Sequence, residues 1–385
     1  MRFFHLSDLH IGKQLHHYNL KDDQIYILSQ VVTLAETMHP DAIIIAGDVY
    51  DKSVPSAEAV TIFDDFLTRL SEIKPEIPVL IVSGNHDNAK RLEYASGILR
   101  KHHIYLSGSA PQKQEEYMEK VTIQDIHGEV DVYLLPFFKP SYVRGVFEGE
   151  VEDNYNDVMK KLIMREEIDF VNRRNVLVSH QFYTGKIFPE TCDSESVCVG
   201  GIDNIDISSV EDFDYVALGH LHGKQSVGRD WIRYCGTLLK YSVSEAGQEK
   251  TLSLVTIRKK GEPVEVTELT LKPLRDVKTK RGALEEIITN AVSKEREDYI
   301  SVTLTDEVEP YHPKEQLQEV YDNILEIRID NTRTKKKLLE CEEEEQEVKS
   351  PMEAFCEFYT EMQGHKMQEE EIRIMRKIFD QIEEE

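Results

Sequence analysis

The chain has 385 residues, of which 40% are hydrophobic and 31% are charged, and its net charge is −26. This length suits two or three globular domains with a large core. No run reaches the ~18 apolar residues of a membrane helix, and the strand-like start shows no signal-peptide pattern. Five cysteines without a CxxC pair indicate reduced thiols. We therefore expect a soluble, cytoplasmic protein.

The negative charge is spread over the whole chain. Residues 338–385 carry 16 acidic and 5 basic residues, a net of −11, and the other 337 residues have a net of −15. Because both parts are acidic, unaided affinity for a nucleic-acid backbone should be modest. If DNA is the substrate, metal ions, a local basic surface or a partner must supply the attraction.

The N-terminal segment predicts a strand from Arg2 to Leu6, followed by Asp8 and His10. Side chains two residues apart in an extended segment point to the same side, which suits two ligands of one ion. A surface turn is the alternative for these two residues alone. The apolar periodicity of residues 20–38 then predicts a helix.

The segment from Asp41 to Asp51 is central to the predicted chemistry. Its apolar run, Ala42 to Ala46, predicts a strand buried on both faces. Asp48 and Asp51 follow at the carboxyl end, the edge where open α/β sheets bind ligands. An ordinary Asp-rich turn would explain this motif by itself. Ser56 is the predicted N-cap of the next helix, which ends near residue 70.

Three further predicted strands also end in polar groups. These groups are Gly84, Asn85, His86 and Asp87 after residues 78–83, His180 after residues 175–179, and His220 and His222 within residues 214–222. A histidine satisfied by the core would explain one such residue, but not five coordinated strand ends. Between them we predict a strand at 132–135 and a helix at 155–171.

The C-terminal third contains none of these ligand candidates. Residues 251–258 and 263–272 predict a hairpin, which we expect in a second sheet. The predicted parts are a domain that carries all the ligand candidates (1–272), a small α+β capping domain (273–330), a charged linker (331–351) and a helical pair (352–385). Phe355, Phe358, Ile378 and Phe379 lie on the apolar stripes of that pair. We expect the stripes to bind another protein; folding back on the body is the alternative.

The ordered motifs DxH, GDxxD, GNHD, a single histidine after a strand, and GHxH resemble those of the calcineurin-like metallophosphoesterases. Within that superfamily, SDLHIG, GDVYD, GNHD, SHQF and GHLHG resemble the SbcD family of bacterial nuclease subunits. The resemblance implies an α/β fold: a β-sandwich flanked by helices, with a small α+β capping domain and a C-terminal helical pair.

Seven ligand candidates, two Asp, one Asn and four His, form a mixed nitrogen and oxygen set that suits manganese or iron better than structural zinc. The superfamily pattern implies one ion held by Asp8, His10, Asp48 and His222, and a second held by Asp48, Asn85, His180 and His220. We expect two divalent ions, most simply Mn²⁺, with Asp48 as the bridge.

Two further residues are assigned to catalysis. His86 is expected to donate a proton to the leaving oxygen or to stabilise its charge. The carboxylate of Asp51 is expected to hydrogen-bond the other ring nitrogen of His86; capping of a turn is the alternative for this residue. Asp87 is expected to brace its own loop. Lys13 and His17 are candidates for contact with a DNA phosphate.

The resemblance implies a homodimeric, metal-dependent DNA nuclease acting on double-strand ends, hairpins and single strands. It also implies an SbcC-type coiled-coil ATPase as partner, docked through the C-terminal helices, in DNA repair, recombination and replication. This chain itself has no GxxxxGK[ST] phosphate loop. The alternatives are a stand-alone phosphomonoesterase or cyclic-nucleotide phosphodiesterase, and a non-catalytic interaction subunit.

Overall fold

The computed structural model describes residues 1–147, 154–195 and 204–333 and a few positions beyond residue 354. The chain divides into two units. The first comprises Met1–Lys280, Asn290–Val302 and Lys314–Ile327, and the second comprises Arg281–Thr289, Thr303–Pro313 and Arg328–Glu385.

The elements are numbered in chain order. The strands are β1 (Arg2–Leu6), β2 (Gln14–Leu15), β3 (Tyr18–Asn19), β4 (Ala42–Ala46), β5 (Val79–Val82), β6 (Ile104–Ser107), β7 (Glu119–Asp125), β8 (Gly128–Leu135), β9 (Arg174–His180), β10 (Tyr183–Thr184), β11 (Ile205–Asp206), β12 (Tyr215–Gly219), β13 (Gln225–Val227), β14 (Arg229–Tyr234), β15 (Thr251–Thr256), β16 (Glu265–Thr270), β17 (Val277–Gly282), β18 (Tyr299–Leu304) and β19 (Asn323–Ile329). The α-helices are α1 (Lys21–Met38), α2 (Ala57–Ser71), α3 (Ala89–Leu92), α4 (Ser96–Leu99), α5 (Pro140–Val143), α6 (Tyr155–Arg165), α7 (Leu284–Thr289) and α8 (Pro313–Gln318).

Two six-stranded sheets form the main body. The first has the order β16-β15-β1-β4-β5-β6, and the second has the order β13-β14-β12-β9-β8-β7. β1, β4, β5 and β6 pair in parallel, as do β14, β12, β9 and β8. Parallel neighbours bring their carboxyl ends to one edge, so the polar segments after β1, β4 and β5 lie side by side, as do those after β9 and β12.

The prediction that the hairpin of β15 and β16 belongs to a second sheet is wrong. β15 pairs antiparallel with β1, with Phe3 opposite Val255, and β16 continues the first sheet outward. The alternating pattern specifies a strand and its buried face, but it does not specify the neighbouring strand.

A continuous apolar layer separates the two sheets. Ile44 and Leu80 from the first sheet join Val132, Val178 and Ala217 from the second in one fully buried cluster. Burying each larger aliphatic side chain contributes about 1.5–3 kcal/mol. This layer therefore fixes the two sheets against each other and holds their strand ends in place.

Helices cover the outer faces. Ile43 and Ile45, on the opposite face of β4, pack with buried residues of α1 and α2, which confirms that β4 is buried on both sides. Ser56 caps α2 by accepting a hydrogen bond from the Ala59 N–H at 3.1 Å, as predicted. On the second sheet, α6 ends at Arg165, earlier than predicted, and Glu167 adopts a left-handed φ of 50°.

These layers confirm the α/β class and the β-sandwich flanked by helices. Residues 277–329 add the three-stranded sheet β17-β18-β19 with α7 and α8, the predicted mixture of strands and helices. No helix in the described part of the chain is long and apolar enough to cross a membrane. Residues 334–351 of the predicted linker lie outside the described residues, as do Phe358, Ile378 and Phe379 of the predicted helical pair.

Candidate metal centre

The polar residues at the carboxyl ends of β1, β4, β5, β9 and β12 meet at one edge of the sandwich. All seven predicted ligands lie in this cluster, and three groups within it could hold an ion. These groups are Asp8 with His10 and His222, His10 with Asp48 and His86, and Asp8 with Asp48 and His180; within each, the ligand atoms lie within 4.8 Å of one another.

One half of the cluster contains Asp8, His10 and His222. The Nε2 atoms of His10 and His222 lie 3.1 Å apart. Both oxygens of the Asp8 carboxylate accept the His220 backbone N–H, at 3.1 and 3.0 Å, which fixes the carboxylate in place. Two facing imidazole nitrogens beside a buried carboxylate are a suitable donor set for one divalent ion.

The other half forms around Asn85. Its side-chain oxygen lies 3.1 Å from His180 Nε2 and 3.1 Å from His220 Nδ1. Asp48 lies between the halves, with Oδ2 3.4 Å from His180 Nε2 and 3.7 Å from His10 Nε2. The Asp48 carboxylate is therefore within reach of ligands from both sets.

The residues present fit a dinuclear divalent site. Asp8 is fully buried and Asp48 is 2% exposed, so two carboxylates share a small volume away from solvent. The buried atoms His10 Nδ1 and His220 Nε2 have no hydrogen-bond partner. Burying unpaired charges and orphaned ring nitrogens is costly, and bound cations would offset that cost.

The electrostatics keep two of the histidines neutral. Burial lowers the pKa of His10 well below its usual value and lowers the pKa of His220 to about 3. Burial also opposes ionisation of Asp48, but the cationic ring of His180 holds the pKa of that carboxyl below its usual range. Burial opposes the charge on His180 as well, but Asp48 raises the pKa of His180 to about 9, so this ring would lose a proton when a metal ion binds. Neutral imidazoles and ionised carboxylates are the forms that ligate metals.

Local backbone geometry explains how the strand ends reach this arrangement. Asp8, His10, Asp48 and His220 have φ angles of 52°, 43°, 48° and 112°, in the region that L-residues rarely adopt. Such conformations persist only where surrounding structure imposes them, and they concentrate at functional sites. The backbone of Gly84 also packs closely against Asp48, because a Cβ atom at residue 84 would lie 2.0 Å from Asp48 Oδ1.

The structure corrects the predicted contact between Asp51 and His86. His86 Nδ1 donates to the backbone carbonyl of Asp51 at 2.9 Å, not to its carboxylate. The carboxylate oxygen Oδ1 instead accepts from Lys13 Nζ at 2.8 Å and lies 3.7 Å from His10 Nδ1. The chain direction after β4 presents the carbonyl to His86 and turns the side chain toward His10.

His86 differs from the buried histidines because 25% of its side chain is exposed. Its Nε2 lies 4.0 Å from Asp48 Oδ2, and its backbone N–H donates to Asp48 Oδ1 at 2.9 Å. Since the Asp51 carbonyl accepts from Nδ1, the ring is oriented with Nε2 toward the cluster. This position suits an acid that meets substrate, although the geometry also allows His86 to act as a ligand.

Asp87 braces its own loop at Gly84, as predicted, and it also binds the loop after β4. Its carboxylate accepts backbone N–H groups of Val49 at 3.0 Å, Tyr50 at 2.9 Å and Gly84 at 2.9 Å. Burial, together with the neighbouring Asp48 charge, raises the pKa of Asp87 to about 6. One side chain thus ties the loop after β4 to the loop after β5.

Sequence reasoning missed the residues that support the ligands. Gln24 donates to the His10 carbonyl at 2.8 Å and accepts from the Gly12 N–H at 2.9 Å. Gln24 lies four residues before Leu28 on the buried face of α1, and a polar residue on that face could have indicated a supporting role from the sequence. Ser194 and Glu245, which contact His222, carried no such signal because their segments show no periodicity.

The weaker predictions concern surface groups. His17 is exposed in the two-residue turn between β2 and β3, with its ring against Tyr18. Lys13 pairs with Asp51 and is only 15% exposed at its side chain. Phe355 is half-buried in a helical segment of the second unit.

A dimetal phosphatase from Danio rerio is 12% identical, with a TM-score of 0.40, covering 71% of this chain and 99% of its own. A likeness this weak carries no argument.

Sequence comparisons identify the family. The family model for calcineurin-like phosphoesterases matches residues 1–224, and the model described as the type 5 capsule protein repressor C-terminal domain matches residues 270–363. The SbcD subunit of the SbcCD nuclease from Staphylococcus epidermidis is 33% identical over 85% of both chains. That of Staphylococcus saprophyticus is 31% identical over 85% of this chain and 84% of its own. The chain therefore belongs to the calcineurin-like phosphoesterases and, within them, to the SbcD family of SbcCD nuclease subunits.

Proposed function

We propose that this chain is the metal-dependent DNA nuclease subunit of a two-component complex, hydrolysing phosphodiester bonds at double-strand ends and in hairpins or single strands. The observation that carries the proposal is the convergence of seven ligand candidates from five strand ends into one buried cluster. Its relatives are named as nuclease subunits. Repair, recombination and replication of DNA in the cytoplasm would be its setting.

The ligands divide into two overlapping sets. Asp8, His10, Asp48 and His222 would hold one ion, and Asp48, Asn85, His180 and His220 would hold the other. Two divalent ions, proposed as Mn²⁺, would polarise the phosphate and lower the pKa of a bound water. The mixed nitrogen and oxygen donors favour this metal over structural zinc.

His86 would act at the leaving oxygen. Its exposed ring edge can reach a bound substrate, and the Asp51 carbonyl holds Nδ1–H so that Nε2 faces the cluster. A positioned acid of this kind contributes typically 10²–10⁴-fold to a rate. Asp51 would orient the His86 ring through its backbone carbonyl, and its carboxylate balances the charge of Lys13.

Two cavities border the cluster. One of about 520 Å³ is lined by Asn85, Lys139 and His220, and its volume lies within the range of about 300–1,000 Å³ that is typical of small-ligand pockets. The other, of about 1190 Å³, is lined by Lys186, Phe188 and His222 among others and is large enough for part of a polymer. Phe188 is 67% exposed, so its ring is available for stacking on a base. Lys13 and His17 would contact a phosphate of the DNA backbone.

We assign the partner and dimer surfaces to residues that are not part of the cluster. Ile25 and Tyr26 on α1 and Val60 on α2 are exposed apolar side chains, which suits a homodimer contact through these helices. A coiled-coil ATPase of the SbcC type would bind the C-terminal helical pair at Phe355, Phe358, Ile378 and Phe379. The domain scheme 1–272, 273–330, 331–351 and 352–385 belongs to this proposal.

The test compares substrates and one variant. With Mn²⁺, the purified chain should cut a labelled hairpin DNA much faster than it hydrolyses p-nitrophenyl phosphate. Asp48→Ala should abolish cleavage and lose at least one bound metal ion. Asp65→Ala, a control whose side chain is 66% exposed on α2, should behave as the wild type. A preference for the small ester would favour the stand-alone phosphomonoesterase, and no turnover would favour a non-catalytic role.

A further inference from the structure

The ring of His222 is connected to a buried carboxylate through one hydroxyl group. Ser194 Oγ lies 2.7 Å from His222 Nδ1 and 2.7 Å from Glu245 Oε1. An ionised carboxylate can only accept hydrogen bonds, so the Ser194 hydroxyl donates to Glu245. Its oxygen is then left to accept from His222, which places the ring proton on Nδ1.

Glu245 is held in this role by its surroundings. It is fully buried, and Oε2 accepts from Lys250 Nζ at 2.6 Å. Oε1 also accepts the Tyr241 backbone N–H at 3.2 Å. Lys250 donates in addition to the His222 carbonyl at 2.9 Å, so the same buried ion pair supports both the backbone and the ring of this residue.

The position of this proton determines the state of Nε2, the other ring nitrogen of His222. With the proton on Nδ1, His222 Nε2 carries a lone pair, and this is the atom that lies 3.1 Å from His10 Nε2 in the candidate metal centre. His180 is fixed in the same sense, because its Nδ1 lies 2.8 Å from the Ala46 carbonyl. For His222, however, the fixing partner is a side-chain hydroxyl from a separate loop.

We propose that Ser194 and Glu245 are positioning residues that fix the Nδ1–H tautomer and ring orientation of His222, so that Nε2 is available to a metal ion. The inference rests on the proposed metal centre and deepens it. The segment Cys192–Glu195 would then support His222 at two points, because Glu195, the residue after Ser194, accepts the His222 backbone N–H. Hydrogen-bonding partners of this kind typically change metal affinity by about 10–100-fold.

The test uses the whole chain, with three variants at two serines. Ser194→Ala removes the hydroxyl between His222 and Glu245 and leaves the Glu245–Lys250 pair in place. Ser244→Ala is the matched control, because its hydroxyl accepts the neighbouring Asp193 N–H at 3.1 Å without touching His222. Ser194→Thr keeps a hydroxyl at this position and should retain the contact.

Two measurements decide the outcome. Titration of metal-free protein with Mn²⁺ should show about tenfold or greater weakening of one site in Ser194→Ala, with Ser244→Ala and Ser194→Thr near the wild type. Nitrogen NMR of metal-free, histidine-labelled protein should show His222 as the Nδ1–H tautomer in the wild type and a mixture in Ser194→Ala. The His222 signal is assigned by its loss in His222→Gln.

An unchanged tautomer with unchanged Mn²⁺ affinity in Ser194→Ala would overturn the inference. Equal losses in Ser194→Ala and Ser244→Ala would also overturn it, because the effect would then come from anchoring of the loop. Either result would leave the proposed nuclease intact, since wild-type cleavage of hairpin DNA is measured separately.

Discussion

Gly84→Ala tests how closely the loops after β4 and β5 must approach. A Cβ atom at residue 84 would lie 2.0 Å from Asp48 Oδ1 and 2.4 Å from Asp48 N. Protein Cβ atoms essentially never approach closer than 3.0 Å, so the carboxylate or its loop must move by about 1 Å. A misplacement of about 1 Å can cost 10²-fold in rate. We therefore expect at least that loss of Mn²⁺-dependent cleavage, together with weaker metal binding.

The assay is cleavage of labelled hairpin DNA, with bound manganese measured on the same samples. Gly97→Ala is the matched control, since a Cβ atom there meets nothing within 4 Å. It should keep full activity and wild-type metal content. If Gly84→Ala retained both ions and ordinary turnover, the close packing of Gly84 on Asp48 would not constrain the site, and the reasoning would be refuted.

The remaining predictions concern catalysis and assembly. His86→Ser should retain both ions and lose about 10²-fold or more in rate; loss of an ion would instead identify His86 as a ligand. Asp51→Asn should lower the cleavage rate less than tenfold, because the carbonyl that orients His86 is unchanged. A loss in rate as large as that of His86→Ser would contradict this. A chain truncated at Val348 should stay folded, dimeric and active on single-stranded DNA, yet fail to co-purify with the ATPase. Unfolding of that chain would show that the helices pack on their own body.

The sequence alone predicted most of the elements and the ligand candidates. A run such as Ala42–Ala46 is too short for a helix and apolar at every position, so it predicts a strand buried on both faces. A polar residue at the carboxyl end of such a strand, or just beyond it, must lie at the sheet edge, as His180 and Asp48 do. These inferences succeed because they depend on local periodicity and on the common direction of parallel strands.

The tertiary structure decided which groups meet across distant segments. Periodicity could not show that β15 pairs with β1, because the partner of a strand is selected by packing over the whole sheet. Nor could it show that Asp51 presents its carbonyl to His86, since that depends on the direction of the chain in one turn. The segments around Ser194 and Glu245 show no local pattern. Ser194 contacts Glu245, which lies 51 residues further along the chain and is paired with Lys250 in the folded protein. Folding excludes water from this pair, and hydrogen bonds are stronger in such a low-dielectric interior.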